Sequence, residues 1–399
     1  MNTEWLGWLR PDGRKGVRNH LLVVYLVECA HHVARQIANP HAARGVQVLG
    51  FGGCYPNDYA QKMLQRLCTH PNVGGVLLVS LGCEGFDRGA LLEAIAGSGR
   101  PVHLIGIQDA GGTRKAIEEG NSWMGRALDL LEAQPRVPMT LEDLVVGTVC
   151  GGSDATSGIA ANPAIGRCFD RLVAHGAGAI FEETGELIGC EHIMAARAAT
   201  PELGQELVRC VAKAARYYAT LGHGSFAPGN ADGGLTTQEE KSMGAYAKSG
   251  TSHISGLLKP GDLPVRGGLY LLDVVPDGEV RFGFPNINDN AEIAELIACG
   301  SHLILFATGR GSVVGSVISP VVKICGNPET CRRMADDIDV DAGRIIDGRG
   351  TLDEVGREIH DTVLSTSRGE LTRSEALGHQ EFVLTYKTFE PAGPACFPA

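Results

Sequence analysis

The chain has 399 residues, which is too many for one typical domain core and predicts two or three domains. Its formal net charge of −11 argues against a nucleic-acid-binding surface, and no stretch of about 18 apolar residues could span a membrane. The N-terminus lacks an apolar signal core, so we expect a cytoplasmic protein. Its 12 cysteines are then expected to be reduced thiols or metal ligands and not disulfides.

The first part of the chain alternates buried apolar runs with amphipathic stretches. A count of 54 glycines without a collagen-like period is typical of an α/β protein with many tight turns. Helical patterns at 30–38 and 58–68 lie between the apolar runs. The sequence therefore predicts mostly parallel sheets covered by helices. The predicted strands are 21–28, 46–51, 73–82 and 101–107.

A second α/β segment follows residues 134–144, which read as a linker. It begins at VVGTVCGG (145–152) and includes a long helical pattern near 191–221 and a helical tail at 351–382. We expect the active site to lie in the crevice between the α/β domains. The predicted domains are an N-terminal unit, 1–137, and a C-terminal catalytic unit with Gly-rich substrate loops, 138–399.

Three cysteines of the first unit follow predicted strands. Cys29, Cys54 and Cys83 each come just after an apolar run, and the carboxyl ends of parallel strands share one edge of a sheet. Three thiolates at one crevice could hold a soft metal or a cluster. The alternative is that they are ordinary core thiols, because free cysteine is often buried and no CxxC pair is present.

Several long segments resemble the altronate/galactarate dehydratase family, and the similarity runs from about residue 7 to 384. The segments are GWLRPDGRKGVRNHLLVV (7–24), HPNVGGVLLVSLGCE (70–84), CGGSDATSGIAANPAIG (150–166), ETGELIGCEHIMAAR (183–197), PGNADGGLTTQEEKSMGA (228–245), ATGRGSVVG (307–315) and EALGHQEFV (375–383).

The resemblance implies a metal-dependent hydro-lyase that dehydrates a sugar acid or small hydroxy acid to a 2-keto-3-deoxy acid. It implies iron, as a [4Fe–4S] cluster or mononuclear Fe²⁺, or another divalent metal, with Cys29, Cys54 and Cys83 as ligands. The family also includes the large subunit of a sulfolactate sulfo-lyase, which releases sulfite and whose type lacks these cysteines. That difference favours dehydration. A non-catalytic sugar-acid-binding subunit is a further alternative.

The resemblance also implies partners. Full-length dehydratases carry a small extra domain before the GWLRPDG-like motif, which only six residues precede here. We therefore expect a separate small subunit, a homo-oligomer, and a small hydroxy-carboxylate substrate.

The Gly-rich segment beginning at Cys150 predicts a substrate-binding loop. Its glycines let backbone N–H groups approach an anion, and its side chains offer hydrogen bonds to hydroxyls and carboxylates. The alternative is a turn capped ahead of a helix. The candidate residues are Gly151, Gly152, Ser153, Asp154, Ser157 and Asn162.

Candidate catalytic residues lie in the other shared motifs. His192 could be a general base oriented by Glu191 or Glu186, although acids also favour helix starts. Lys241 could clamp a carboxylate or act as a base if its pKa were lowered. His20 is a catalytic candidate for which a structural role is the alternative. The remaining candidates for substrate binding are Arg18, Asn19, Thr236, Thr237, Arg310, Ser312 and His379.

Overall fold

The computed structural model describes residues 4–222, 228–278, 288–384 and 387. Its strands form three sheets, two parallel and one antiparallel. The strands are β1 (Trp5–Leu9), β2 (Lys15–Gly16), β3 (His20–Tyr25), β4 (Val46–Gly50), β5 (Val73–Ser80), β6 (Val102–Gly106), β7 (Arg136–Met139), β8 (Val145–Cys150), β9 (Gly178–Phe181), β10 (Ile254–Leu258), β11 (Gly268–Leu272), β12 (Leu303–Thr308), β13 (Val321–Cys325) and β14 (Val340–Asp341).

Helices connect most of the parallel strands, as parallel pairing requires a crossover. None of the described helices is both long and apolar enough to cross a bilayer. The helices are α1 (Glu28–Ala38), α2 (Asp58–Cys68), α3 (Arg88–Gly97), α4 (Ile107–Ala110), α5 (Thr113–Glu132), α6 (Asn162–Ala174), α7 (Glu191–Ala196), α8 (Pro201–Leu221), α9 (Pro228–Asp232), α10 (Gln238–Tyr246), α11 (Asp289–Ala298), α12 (Pro328–Arg333), α13 (Leu352–Ser367) and α14 (Arg373–Leu377).

The two parallel sheets confirm the predicted α/β class. The N-terminal sheet has the order β4-β3-β5-β6, and its strands agree with the predicted apolar runs to within a few residues. The C-terminal sheet has seven strands in the order β10-β11-β9-β8-β12-β13-β14. Strand β8 is near its centre, so the segment after β8 emerges between the ends of β9 and β12.

The predicted linker at 134–144 is instead partly a strand. Strand β7 pairs antiparallel with β1, with Trp5 opposite Met139, in the order β2-β1-β7. Pro138 obscured the strand in the sequence, but an edge strand tolerates proline because one of its sides makes no ladder hydrogen bonds. The long helical pattern near 191–221 is also divided, into α7 and α8.

One hydrophobic core connects the two parallel sheets. It joins Met63 and Leu64 of α2 to Ile293 of α11 and to Leu272 and Phe306 of the C-terminal sheet. At the opposite edge, the buried side chain of Asn72 donates hydrogen bonds to the carbonyl oxygens of His302 (3.1 Å) and Ile318 (3.2 Å). The amino ends of strands from both parallel sheets therefore meet at this edge.

Candidate active site

The Gly-rich segment turns sharply at the carboxyl end of β8, where ligands gather in open parallel sheets. The backbone N–H of Gly151 donates to the carbonyl oxygen of Ala307, at 3.1 Å. Gly152 has a φ of +57°, and a Cβ there would lie 2.9 Å from the carbonyl oxygen of Gly311. A Cβ at Gly151 would overlap the carboxylate of Asp289. The two glycines thus allow Cys150 to be the last residue of a strand under a tightly packed turn.

Asp154 and Ser157 cap the helical turn that follows, as the alternative interpretation expected. The Asp154 carboxylate accepts hydrogen bonds from the backbone N–H of Ser157 (3.2 Å) and the side-chain amide of Asn327 (3.0 Å). The Ser157 hydroxyl accepts from the Asp154 N–H at 3.1 Å. Two other side chains of the segment do not cap this turn. The Ser153 hydroxyl contacts Lys241, and the buried Oδ1 of Asn162 has no hydrogen-bond partner among the described residues.

A buried cluster of charged groups surrounds the Cys150 sulfur. The ammonium groups of Lys248 and Lys241 lie 3.2 and 3.4 Å from Sγ. Carboxylate oxygens of Glu186 and Glu183 lie 3.3 and 3.4 Å from it. Lys241 also pairs with Glu186 at 2.6 Å, and Lys248 pairs with Glu183. Each carboxylate of this cluster therefore has its own ammonium partner, and both ammonium groups also contact the thiol.

The cluster shifts the pKa values of its members in opposite directions. Although burial raises the pKa of the Cys150 thiol, the ammonium groups of Lys241 and Lys248 lower it to about 6. Burial and the adjacent Cys150 raise the pKa of Glu186 well above its usual range. The pKa of Lys241 is raised, because Cys150 and Glu186 outweigh the effect of burial. Near neutral pH these shifts favour a thiolate at Cys150 and a charged Lys241, and the direction of the Glu186 shift favours the protonated form of that carboxyl group.

Glu183 reaches the cluster from a strained backbone conformation. Its φ of +81° is unique among the described non-glycine residues, and its carboxylate accepts a hydrogen bond from the Cys150 N–H at 3.1 Å. A left-handed conformation in a residue other than glycine is unfavourable by roughly 1–3 kcal/mol and is concentrated at functional sites. The bend after β9 thus directs Glu183 to the end of β8.

Further carboxyl groups lie behind the cluster. The carboxyls of Glu182 and Glu292 are buried, and both oxygens of Glu182 lack a hydrogen-bond partner among the described residues. Glu295 is also buried, but it accepts a hydrogen bond from Tyr59 and pairs with Lys387, both at 2.7 Å. Burial raises the pKa of Glu292 to about 8 even though Lys387 opposes the shift.

Two groups of three side chains in the described residues have potential metal-ligating atoms within 4.8 Å of one another. The groups are Cys150–Glu183–Glu186 and Glu182–Glu183–Glu292. In the first group, Lys241 and Lys248 already supply the positive charge that a metal ion would bring. The negative charge of that donor set is therefore neutralised by the ammonium groups of these two lysines.

Of the four catalytic candidates, the structure brings only Lys241 into the cluster. Glu191 and His192 begin α7, and the His192 side chain is exposed. His20 begins β3, and burial lowers its pKa to about 4. Because β3 leads away from His20, that residue lies at the edge opposite the carboxyl ends of the strands.

Arg18 and Asn19 make contacts that connect distant parts of the fold. Arg18 forms a two-pronged ion pair with Glu375 of α14, with N–O distances of 2.8 and 2.9 Å. The Asn19 amide donates to the carbonyl oxygen of Leu131 and accepts from Arg10. In the described structure these two residues join the N-terminal sheet to helices, at the same edge as His20.

The remaining substrate-binding candidates flank the Gly-rich segment or its neighbours. Thr237 caps α10, and Thr236 hydrogen-bonds Glu240 in the same turn. Arg310 is exposed and donates to the carbonyl oxygen of Gly229. The Ser312 hydroxyl accepts from the N–H of Val314 at 3.2 Å. His379 packs next to Gly315, and its Nδ1 is buried without a hydrogen-bond partner in the described parts of the chain.

Cys29, Cys54 and Cys83 follow the carboxyl ends of the adjacent strands β3, β4 and β5, and all three are exposed. Cys29 lies in the first turn of α1, whereas Cys54 and Cys83 lie on loops, and these three segments contact one another through their backbones. The Gly85 N–H donates to the carbonyl oxygen of Cys54 at 2.8 Å, and the Glu28 N–H donates to that of Gly52 at 3.4 Å. The described structure thus places the three thiols on one edge of the N-terminal sheet.

The sequence interpretation did not single out Cys150, Glu183 or Lys248. One signal was available: Lys248 follows Lys241 by seven residues, which is two helical turns and therefore the same face. The pairing of either lysine with Cys150 depends on the tertiary structure.

Comparison with known proteins identifies the family. Residues 141–389 match the family described as D-galactarate/Altronate dehydratase, C-terminal, and residues 7–131 match D-galactarate dehydratase/Altronate hydrolase, second domain. The (2R)-sulfolactate sulfo-lyase subunit beta of Chromohalobacter salexigens is 33% identical, over 96% of this chain and 97% of that protein. The altronate dehydratase of Escherichia coli is 30% identical, over 94% of this chain and 76% of that protein. The galactarate dehydratase of Escherichia coli is 32% identical, over 77% and 59%. The chain belongs to the D-galactarate/altronate dehydratase family.

Proposed function

We propose that this protein dehydrates a small polyhydroxy carboxylate to a 2-keto-3-deoxy acid, by removal of the C2 proton and loss of the C3 hydroxyl. As a member of a family of dehydratases, the chain is a carbon–oxygen lyase. The observation that carries the proposal is the buried cluster of Cys150, two lysines and two glutamates under the Gly-rich turn. Such a cluster offers both an anion-binding group and groups able to move protons.

Lys241 is proposed to bind the substrate carboxylate. Its ammonium group is buried, contacts the Ser153 hydroxyl at 3.1 Å, and keeps its proton because Glu186 and Cys150 raise its pKa. A lysine base would need a lowered pKa, so the raised pKa of Lys241 supports the clamp over the base. Asn162, whose buried Oδ1 is unpartnered among the described residues, is proposed to accept a substrate hydroxyl.

The site must open for a substrate to bind. The cavity between Ser153, Asn162 and Lys241 measures about 10 Å³, which is at the lower limit for a single water molecule. Arg310 lies beside Gly152 and Gly233 and donates a hydrogen bond to the carbonyl oxygen of Gly229 of α9. We propose that this contact separates on substrate entry and that the Arg310 guanidinium then pairs with a substrate carboxylate.

Iron is proposed to bind at Cys29, Cys54 and Cys83. The support for this site is that the three exposed thiols follow adjacent strands at one edge of the N-terminal sheet and form a soft donor set, while their sulfur atoms do not all lie within 4.8 Å of one another in the described structure. As a [4Fe–4S] cluster, as mononuclear Fe²⁺ or as another divalent ion, the metal would supply Lewis-acid help for the departing hydroxyl. The proposed division of labour assigns metal binding to the unit 1–137 and substrate binding to the unit 138–399.

A sulfo-lyase large subunit is the second candidate function. It is favoured by the near-complete mutual coverage with the sulfolactate sulfo-lyase subunit beta. That relative is named as one subunit of an enzyme, so we also propose that this chain works with a separate small subunit. We further propose that copies of this chain associate with one another. In either case a proton leaves C2, and the reactions differ in the group lost from C3.

A substrate panel separates these functions. Altronate, galactarate and 3-sulfolactate would be incubated with anaerobically purified protein, with keto acid and sulfite measured in parallel. Keto acid from a sugar acid without sulfite supports the dehydratase. Sulfite from 3-sulfolactate supports the sulfo-lyase, and no product from any of the three contradicts both in favour of a binding subunit.

The metal proposal has its own measurement. Iron and acid-labile sulfide would be quantified in the wild type, in Cys83→Ser, and in Cys168→Ser as the matched control, because Cys168 is buried in α6. We expect Cys83→Ser to lose the iron and Cys168→Ser to keep it. Equal iron in all three proteins would contradict the ligand assignment.

A further inference from the structure

The charged cluster contains two groups suited to opposite tasks in proton transfer. The Cys150 sulfur is within 3.4 Å of two ammonium groups, so its anionic form is stabilised at close range. Glu186 lies 3.3 Å from that sulfur and 2.6 Å from the Lys241 ammonium group, in an interior that disfavours a second negative charge. Paired groups that an environment drives apart in proton affinity are the usual basis for assigning an acid and a base.

We propose that Cys150 is the general base that removes the C2 proton and that Glu186 is the general acid that protonates the departing C3 hydroxyl. The inference rests on the proposed dehydratase function and deepens it by naming the residues that move protons. It follows from the contacts of one sulfur atom with four charged side chains, three of which lay outside the catalytic set expected from the sequence.

The steps balance. The C2–H bond breaks and an S–H bond forms on Cys150, while the electron pair remains on the substrate as an enediolate whose carboxylate faces Lys241. The C3–O bond then breaks, and the leaving hydroxide takes the proton of Glu186 to become water. The enol that remains becomes the keto acid by gaining a proton at C3 and losing its enol proton.

The 3.3 Å contact between Cys150 and Glu186 allows the two residues to return to their starting protonation states after each turnover. After one turnover Cys150 is a thiol and Glu186 is a carboxylate, which is the reverse of the starting state. A proton passing directly from Sγ to the carboxylate oxygen restores both groups. Lys241 and Lys248 then stabilise the regenerated thiolate as before.

The groups that face Cys150 set its titration. From the turn after β9 these are Glu183 and Glu186, from α10 and the turn after it Lys241 and Lys248, and Asp289 of α11 lies beside Gly151. Burial and Glu186 raise the pKa of Asp289 to about 6. Asp289 is therefore partly neutral in the range where the thiolate forms, which limits its opposing charge.

The first test requires no substrate. Thiolates absorb near 240 nm, so the wild-type absorbance minus that of Cys150→Ser would be followed from pH 4 to pH 10. We expect one step with a midpoint near 6. Lys248→Met should move the midpoint up by about 1–3 pH units, because an opposite charge within contact distance is removed. Lys213→Met, which alters an ammonium group paired with Asp273, is the matched control and should leave it unchanged.

The second test uses whichever panel substrate is turned over. Cys150→Ser should lower kcat about 100- to 10,000-fold, the usual contribution of general base catalysis, with KM nearly unchanged. Cys168→Ser makes the same chemical change at a buried thiol outside the cluster and should keep wild-type rates. With a sugar acid as the substrate, Glu186→Gln should lower kcat strongly, because the departing hydroxide needs a proton. With 3-sulfolactate as the substrate, the decrease should be much smaller, because sulfite leaves without a proton.

The two proposals fail in different ways. If the difference spectrum shows no step below pH 8, or if folded Cys150→Ser retains the wild-type kcat, the base assignment is overturned while the dehydratase proposal stands. If no panel substrate reacts, the proposed function fails whatever the titration shows. Should Cys150→Ser not fold, pH-dependent iodoacetamide labelling of wild-type Cys150, followed by peptide mass mapping, replaces the difference spectrum.

Discussion

Replacing Glu292 by glutamine should stabilise the folded protein at alkaline pH. Glu292 lies in the first turn of α11 and is 5% exposed. Burial raises the pKa of its carboxyl, and Lys387 lowers it, but Asp289 and Glu295 add to the increase and the result is about 8. Glutamine keeps the size and hydrogen-bonding capacity of the protonated side chain but cannot ionise.

The magnitude follows from the difference between the folded and unfolded pKa values. For an acid whose pKa is raised on folding, the stabilisation is complete below the unfolded value of about 4.3 and is lost as the pH rises through the folded value. Between pH 4 and pH 8 the Glu292 carboxyl is ionised in the unfolded chain but still protonated in the folded protein. At 1.36 kcal/mol per pH unit, this difference lowers the free energy of unfolding by about 4 kcal/mol. Most of the loss lies above pH 5, so the advantage of Glu292→Gln should grow by about 3 kcal/mol from pH 5 to pH 8.

Urea unfolding of both proteins at pH 5 and pH 8 measures this effect. The expected result is a small difference in midpoint at pH 5 and a large one at pH 8. Glu118→Gln is the control, because Glu118 is exposed on α5 and should give the same small difference at both pH values. An unchanged gap between Glu292→Gln and wild type at the two pH values would refute the reasoning.

Three further substitutions test a close glycine contact beside the site and two sets of polar contacts at the opposite edge of the sheets. Gly244→Ala places a Cβ 2.8 Å from the Cα of Gly158 and should destabilise by about 1–3 kcal/mol in urea unfolding, whereas Gly125→Ala, which meets nothing within 4 Å, should not destabilise. Asn72→Ala removes the buried side-chain hydrogen bonds to His302, Ile318 and Ser319 and should lower the unfolding free energy by about 2–4 kcal/mol, so an unchanged midpoint would contradict that role. Arg18→Lys loses the two-pronged contact to α14 and should lower the free energy of unfolding by about 1.5–3 kcal/mol; wild-type stability would show that one prong suffices.

The sequence predicted the parallel sheets well because buried parallel strands are continuous apolar runs. VGGVLLVS, for example, became the fully buried strand β5. It missed the small antiparallel sheet because β7 is short and contains Pro138. The pattern of local hydrophobicity carries no information on pairing between Trp5 and Met139, which are 134 positions apart.

The candidate site was predicted only in part for a similar reason. Local motifs located the Gly-rich turn and Lys241. They could not show that Glu186 and Lys248 both contact the Cys150 sulfur, since these three residues come from separate segments of the chain. Likewise, local patterns could not reveal the ion pair of Arg18, because its partner Glu375 is 357 residues away in the sequence.

The core shared by the two parallel sheets has consequences for how the protein unfolds and how its sequence can evolve. Met63 and Leu64 of the first unit and Phe306 of the second are buried against a common set of neighbours, so either half alone would expose a large apolar surface. The two halves are thus expected to melt as one cooperative unit. Recombination that replaced one half with the corresponding half of a distant relative would have to preserve the packing of this shared core. Selection therefore acts on the two halves together.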